Sequence, residues 1–252
     1  MKEERLQKAQ NDKRVNYNFI VNDKIKCFSS LPDDINDMKK VVIYCHGLGS
    51  NKTWATRFYE GLINENVGLY AYDHPGHGED TTDFSNFNLS LCINYLNGVI
   101  SYVSNKHNDC DIYLFGCSFG GFVVLNKLVQ NLSNVKGTIL MCPAVNFCEI
   151  LEQKSQISYN FFKTNQFKEL YNNIKIYYDA YDEFKNGESS IKNNRFNNIS
   201  IIHGSKDKTV NVDIIIDFCK TSSLDLKIIE DGSHELYGFD EEIIKFIIET
   251  IF

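Results

Sequence analysis

The chain lacks any apolar run approaching the ~18 residues a membrane-spanning helix requires, so no helical span and no stable membrane insertion are expected. Its opening stretch, MKEERLQKAQNDKR, has no apolar centre, which argues against a secretory leader. Basic residues are in deficit. With 26 Lys and Arg against 33 Asp and Glu the net charge is −7, unsuited to nucleic acid or an anionic membrane surface as main partner. The 8 cysteines include no CxxC pair and mostly sit in apolar stretches, which disfavours a disulfide framework and suggests buried thiols in a reducing, cytoplasmic setting. No zinc signature or phosphate-binding loop is present, so neither metal nor organic cofactor is expected. There is no internal repeat. Asn-x-Ser/Thr occurs at Asn51, Asn88, Asn131 and Asn198, which reads as a by-product of abundant asparagine unless the protein is secreted.

What is present is a chain of 252 residues, 43% hydrophobic, long enough for one large core. Residues 1–14 read as a solvated arm. Alternating residues on either side of Asn22-Asp23 predict a hairpin. Continuous apolar runs at 41–45, 68–72, 112–115, 137–142, 199–203 and 226–229 predict strands covered on both faces. Between them, helical spacing predicts helices over 53–64, 89–104, the stretch after Ser118, 212–219 and 240–251. This alternation predicts the α/β class, a mostly parallel central sheet with helices on both faces. Over 143–198 the alternation breaks into a segment rich in Phe, Tyr, Asn and Lys. It reads as a short insertion above the sheet, within a single domain spanning 1–252.

The stretch 111–123, DIYLFGCSFGGFV, organises the rest. A buried strand runs into Gly116-Cys117-Ser118-Phe119-Gly120 and out into a helix, the setting in which Gly-x-Ser-x-Gly presents a nucleophile on a sharp turn. Gly116 and Gly120 remove side chains that would collide there. A serine hydroxyl at its ordinary pKa needs a base, and the base an orienting acid. Strand ends of a parallel sheet converge on one edge. The polar residues following strands are His46, Asp73, Asp207 and His234. In an elbow of this kind the acid and then the histidine follow the serine, which selects Asp207 and His234. Asp231, Glu230 and Glu235 compete with Asp207, although Asp231 shares a turn with His234 and suits a loop-stabilising role. His203 reads as packing or hydrogen-bonding at its strand end, and His74 and His77 as loop residues. The oxyanion donors expected are the amides of Phe119, after the nucleophile, and Leu48, in the Gly-flanked turn after the first buried strand.

With these motifs in view, His46-Gly47-Leu48-Gly49, Asp73-His74-Pro75-Gly76-His77-Gly78-Glu79, Gly116 to Gly121, His203-Gly204 with Asp207 and Val210, and Gly232-Ser233-His234, the chain resembles capped serine esterases of the α/β-hydrolase fold. It resembles monoacylglycerol lipases and bacterial cinnamoyl or feruloyl esterases. The resemblance runs from about residue 41 almost to the end. It implies a Ser118–His234–Asp207 triad working through an acyl-enzyme, with Leu48 and Phe119 binding the substrate oxygen, and a cap at about 143–198. Cys117 departs from it, since many relatives carry histidine or another polar residue there. The expected substrate is a small-molecule carboxylic ester, and the aromatic cap suggests a small to medium or aromatic acyl group. Thioesterase or small amide and peptide hydrolysis would use the same triad. A non-catalytic ligand-binding protein on this fold is the alternative of another class. A homodimer is compatible with the sequence.

Overall fold

A run such as 41–45, apolar at every position, has no solvent face. In the computed structural model it lies in mid-sheet with helices on either side. The structure describes residues 2–130 and 135–252, so the sequon at Asn131 lies outside the described residues. In chain order the main elements are α1 (Lys2–Asn11), β1 (Val15–Val21), β2 (Ile25–Ser30), β3 (Lys40–Cys45), a 3-10 helix (Lys52–Arg57) and α2 (Tyr59–Asn64). Next come β4 (Val67–Tyr72), α3 (Leu89–Lys106), β5 (Asp111–Cys117), α4 (Phe119–Val129) and β6 (Gly137–Met141). They are followed by α5 (Phe147–Ser155), α6 (Tyr159–Phe162), β7 (Phe167–Glu169), β8 (Lys175–Tyr177) and α7 (Tyr178–Asn193). The chain closes with β9 (Ile199–Gly204), α8 (Val212–Ser222), β10 (Asp225–Ile229) and α9 (Asp240–Ile251).

The sheet has 8 strands in the order β1-β2-β4-β3-β5-β6-β9-β10. The β1–β2 and β2–β4 pairs are antiparallel and the rest parallel. Alternate side chains of β3 divide between two cores. Val41, Ile43 and Cys45 share one with Leu96 of α3 and Phe122 of α4, while Val42 and Tyr44 share the other with Leu62 of α2 and Ile247 of α9. This is the α/β-hydrolase architecture, and its parallel strands bring their C-terminal ends to one edge. The hairpin around Asn22-Asp23 forms, with Val21 paired to Ile25, both turn residues at positive φ, 52° and 57°, and Lys24 N donating to the Val21 carbonyl at 3.2 Å. All 8 cysteines are free thiols, and all but Cys110 are buried. Among the described residues no helix is long and apolar enough to cross a membrane.

Three local expectations are corrected. The N-terminal arm is docked rather than solvated: Ala9 is fully buried, and Arg5 and Lys8 pair with Asp240 and Glu60 at 2.6 Å. A single buried alanine in a charged helix leaves no periodic signal. The helix expected over 53–64 is divided at Phe58 into the 3-10 helix and α2. Its Asn51 cap accepts from Thr53 N at 3.0 Å. The 143–198 segment is not irregular. It holds the β7–β8 hairpin and α7, a helix of 16 residues whose inward stripe is Tyr181, Phe184, Glu188 and Ile191. A glutamate within that stripe hides it from an apolar count. Glu188 is buried because it caps α5 from another helix, accepting from Cys148 N at 2.6 Å and Glu149 N at 3.2 Å. The local cap residue, Asn146, makes no such bond.

Candidate active site

Ser118 ends β5 and begins α4 with φ 52° and ψ −116°, a strained conformation for a residue with a side chain. The turn is possible because nothing intrudes on it. A Cβ on Gly120 would lie 2.1 Å from the Cys45 carbonyl oxygen. The neighbouring ring of Phe119 is fully buried, with centroids 4.8 Å from Phe147 and 5.7 Å from Phe184, so the elbow is wedged against the 143–198 segment.

Asp207 follows β9 and His234 follows β10, and the parallel pairing of these strands puts the two loops side by side. His234 Nδ1 lies 2.7 Å from Asp207 Oδ2, and its Nε2 lies 2.8 Å from Ser118 Oγ. A carboxylate only accepts, so Nδ1 carries the proton and donates to it, leaving Nε2 to accept from the serine hydroxyl. The other Asp207 oxygen accepts from Thr209 N at 2.7 Å and Val210 N at 2.8 Å. Burial pushes the Asp207 carboxyl up. The hydrogen bond and charge of His234, with the two amides, outweigh this and hold it below the usual range. The structure thus brings together all three side chains that the sequence singled out. The competitor Asp231 points elsewhere, paired with Lys206 at 2.5 Å on the surface. His203 is fully buried, with Nε2 3.0 Å from the Val210 carbonyl and 3.4 Å from Asp207 Oδ2.

The two expected oxyanion donors line the same cavity as Ser118 and His234. Among the described residues, neither the Leu48 nor the Phe119 N–H donates to another group. The loop before Leu48 rests on an arrangement that sequence patterns do not reveal. His46 Nε2 accepts from His74 N at 3.0 Å, so the proton sits on Nδ1, which donates to the Gly47 carbonyl at 2.8 Å. His74 Nε2 donates back to the His46 carbonyl at 3.0 Å. The Gly47 carbonyl shares a peptide plane with the Leu48 N–H and points the opposite way, so His46 orients that donor. His74 and His77 lie in the loop after β4, as expected, but are buried there, their rings 4.4 and 5.5 Å from His46. Burial, then the adjacent imidazoles, hold His46 well below its ordinary pKa, and burial takes His74 down to about 3. Of these bonds, the one that His46 Nε2 accepts requires a neutral ring.

Two further ties were illegible in the sequence. Lys52, 1% exposed, reaches Asp73 at 3.0 Å and Glu79 at 2.6 Å, and Asp73 also accepts from Lys52 N and Glu79 N. This joins the loops after β3 and β4. Arg57 donates to the Glu235 and Leu236 carbonyls at 2.8 and 2.9 Å and pairs with Asp240, holding the loop that carries His234. As for metals, Cys142, His203 and Asp207 bring their donor atoms within 4.8 Å of one another. There the thiol is raised by burial, and Asp207 is already engaged by His234.

The cavity beside Ser118 measures about 510 Å³. Its apolar lining includes Phe119, Phe147, Ile150, Leu151 and Leu170, and Asn51, Trp54 and Glu235 also line it. Of the rings in 143–198, Phe147 and Tyr171 line it. Tyr159, Phe162, Tyr178 and Tyr181 pack on one another instead, as do Phe167 and Tyr177.

A family model described as serine aminopeptidase, S33 (Hydrolase_4), matches residues 36–180. Protein phosphatase methylesterase 1 of Candida albicans is 31% identical over 102 residues, 40% of this chain and 28% of that protein. A putative esterase/lipase of Mycoplasma genitalium is 29% identical over 130 residues, 50% of this chain and 46% of that protein. The chain therefore spans less than half the length of these relatives. Among solved structures, Est1E of Butyrivibrio proteoclasticus with ferulic acid bound superposes with a TM-score of 0.77 at 18% identity, covering 94% of this chain and 99% of that one. A monoacylglycerol lipase of Paleococcus ferrophilus gives 0.65 at 15% identity, covering 90% and 97%. At such identities the structures share the fold.

Proposed function

The chain belongs to the serine aminopeptidase S33 family of α/β-hydrolases, and on that footing we propose that it hydrolyses small carboxylic esters through an acyl-enzyme. The observation that carries this reading is the His234 imidazole held between Ser118 Oγ and Asp207 at hydrogen-bonding distance from both. Ser118 attacks the ester carbonyl while its proton passes to His234 Nε2. Asp207 keeps the ring in the required tautomer and stabilises the imidazolium. The negative oxygen of the tetrahedral intermediate sits against the Leu48 and Phe119 amides, each worth roughly 10²–10³ in rate. The imidazolium proton then leaves with the alcohol. Water, activated by the same imidazole, releases the acid and restores Ser118.

We also read 143–198 as a cap, since its residues form most of the apolar wall and leave a space suited to a small or medium acyl chain. Fully assembled side chains favour this over a non-catalytic binding protein. The family description favours one second reading, removal of an N-terminal residue from a small peptide by the same triad. Purified protein given p-nitrophenyl acetate and butyrate, and separately an aminoacyl p-nitroanilide, separates the two. Hydrolysis of the esters is expected, with Ser118→Ala slower by about 10³ or more. Equal rates for the two proteins would sink the reading.

A further inference from the structure

The oxyanion loop has three successive carbonyls, at Gly47, Leu48 and Gly49, and a side chain holds each one. His46 takes the first from inside the protein. The other two are taken from outside, by the turn that joins β7 to β8. The Tyr171 hydroxyl donates to the Leu48 carbonyl at 3.0 Å, and Asn172 Nδ2 donates to the Gly49 carbonyl at 3.0 Å. Burial does not account for the position of this ring, because Tyr171 is 61% exposed. Asn172 and Asn173 both adopt positive φ, 55° and 58°, which shapes the turn toward the loop. The loop is cut to match. Gly49 has φ +69°, and a Cβ there would lie 2.4 Å from Tyr171 Cε2.

We propose that Tyr171 and Asn172 are positioning residues that fasten the cap to the oxyanion loop, so that the Leu48 donor is in place only while this turn is seated. The inference rests on the esterase reading above. The Gly47 carbonyl, pinned by His46, also accepts from Ser50 N at 3.1 Å, so Leu48 and Gly49 are the central residues of a tight turn whose outer carbonyls are otherwise open. The two cap side chains hold the Leu48 and Gly49 carbonyls and so fix how that turn is seated against the cavity. Their effect falls on the transition state, because the substrate oxygen gains full charge only in the tetrahedral intermediate.

The test uses Tyr171→Phe, which removes one hydroxyl, and the double variant Tyr171→Phe/Asn172→Gly, in which glycine keeps the left-handed backbone. Steady-state kinetics on p-nitrophenyl butyrate are paired with inhibition by a trifluoromethyl ketone of the same chain length, which forms a tetrahedral adduct on the serine. Ordinary hydrogen-bond strengths lead us to expect kcat lower by about fivefold for the single and about 30-fold for the double variant. KM should stay within about twofold, and the ketone should weaken in step with kcat/KM. An unchanged kcat in the double variant, a loss confined to KM, or ketone affinity equal to wild type would overturn the proposal. Wild type without Ser118-dependent hydrolysis would overturn the esterase reading and this inference together. Ester hydrolysis with identical variants would overturn this inference alone.

Discussion

The loops at the sheet edge and the 143–198 segment proposed as a cap are built on different principles. At the edge, the groups that line the site are positioned by short polar bonds. His234 is set by Asp207 and by Arg57 acting on the next carbonyls, and Leu48 by His46. In the cap, position comes from ring packing around Phe119, Phe147 and Phe184, with a single buried carboxylate, Glu188, standing in for a missing helix cap. Losing a group at the edge should therefore cost turnover more than stability, and losing one in the cap stability more than turnover.

The largest expected effect is at Asp207. Asp207→Asn should lower kcat by about 10⁴ with an unchanged melting curve, since the amide would favour the wrong imidazole tautomer. Asp231→Asn, at the surface ion pair, should stay near wild type, and the opposite result would move the orienting acid to Asp231. In the cap, Phe184→Ala should destabilise by about 3–5 kcal/mol in urea melts, with turnover per folded molecule falling far less than for Asp207→Asn. A reversed ranking would break the comparison.

Acid provides an intermediate effect. His74 is neutral in the folded protein with a pKa of about 3, against an ordinary 6.5 when unfolded. The unfolded chain therefore binds the proton first. This stabilisation is complete above about pH 6.5 and is lost at about 1.4 kcal/mol per pH unit as the pH falls toward 3. Melting temperature against pH checks this, and a flat profile from pH 6.5 to 4.5 would mean that the imidazole cluster is not neutral. The smallest effect should come from Glu188→Gln, about 1–2 kcal/mol in the same melts, because two amides and Lys192 lose a charged partner.

The same contrast explains what could be read before any coordinates. The strands and the elbow were legible because their constraints are local. A continuous apolar run has to be covered on both faces, and a serine at positive φ needs glycine close by. Asp207 and His234 were legible through chain order and strand ends. The cap's helix was not, because Glu188 occupies an inward position whose purpose lies on α5, far away in sequence. The same holds for Lys52 and Arg57. Both look like surface residues until the loops that receive them, around Asp73 and Glu235, are folded into place.

Phe119 belongs to both regions at once. Its N–H is the second proposed oxyanion donor, while its ring sits at the junction with Phe147 and Phe184. Enlarging the acyl space at Phe147 would also loosen the seat of the nucleophile. A lineage that widened its pocket by that route would be expected to slow its turnover of every substrate that uses Ser118.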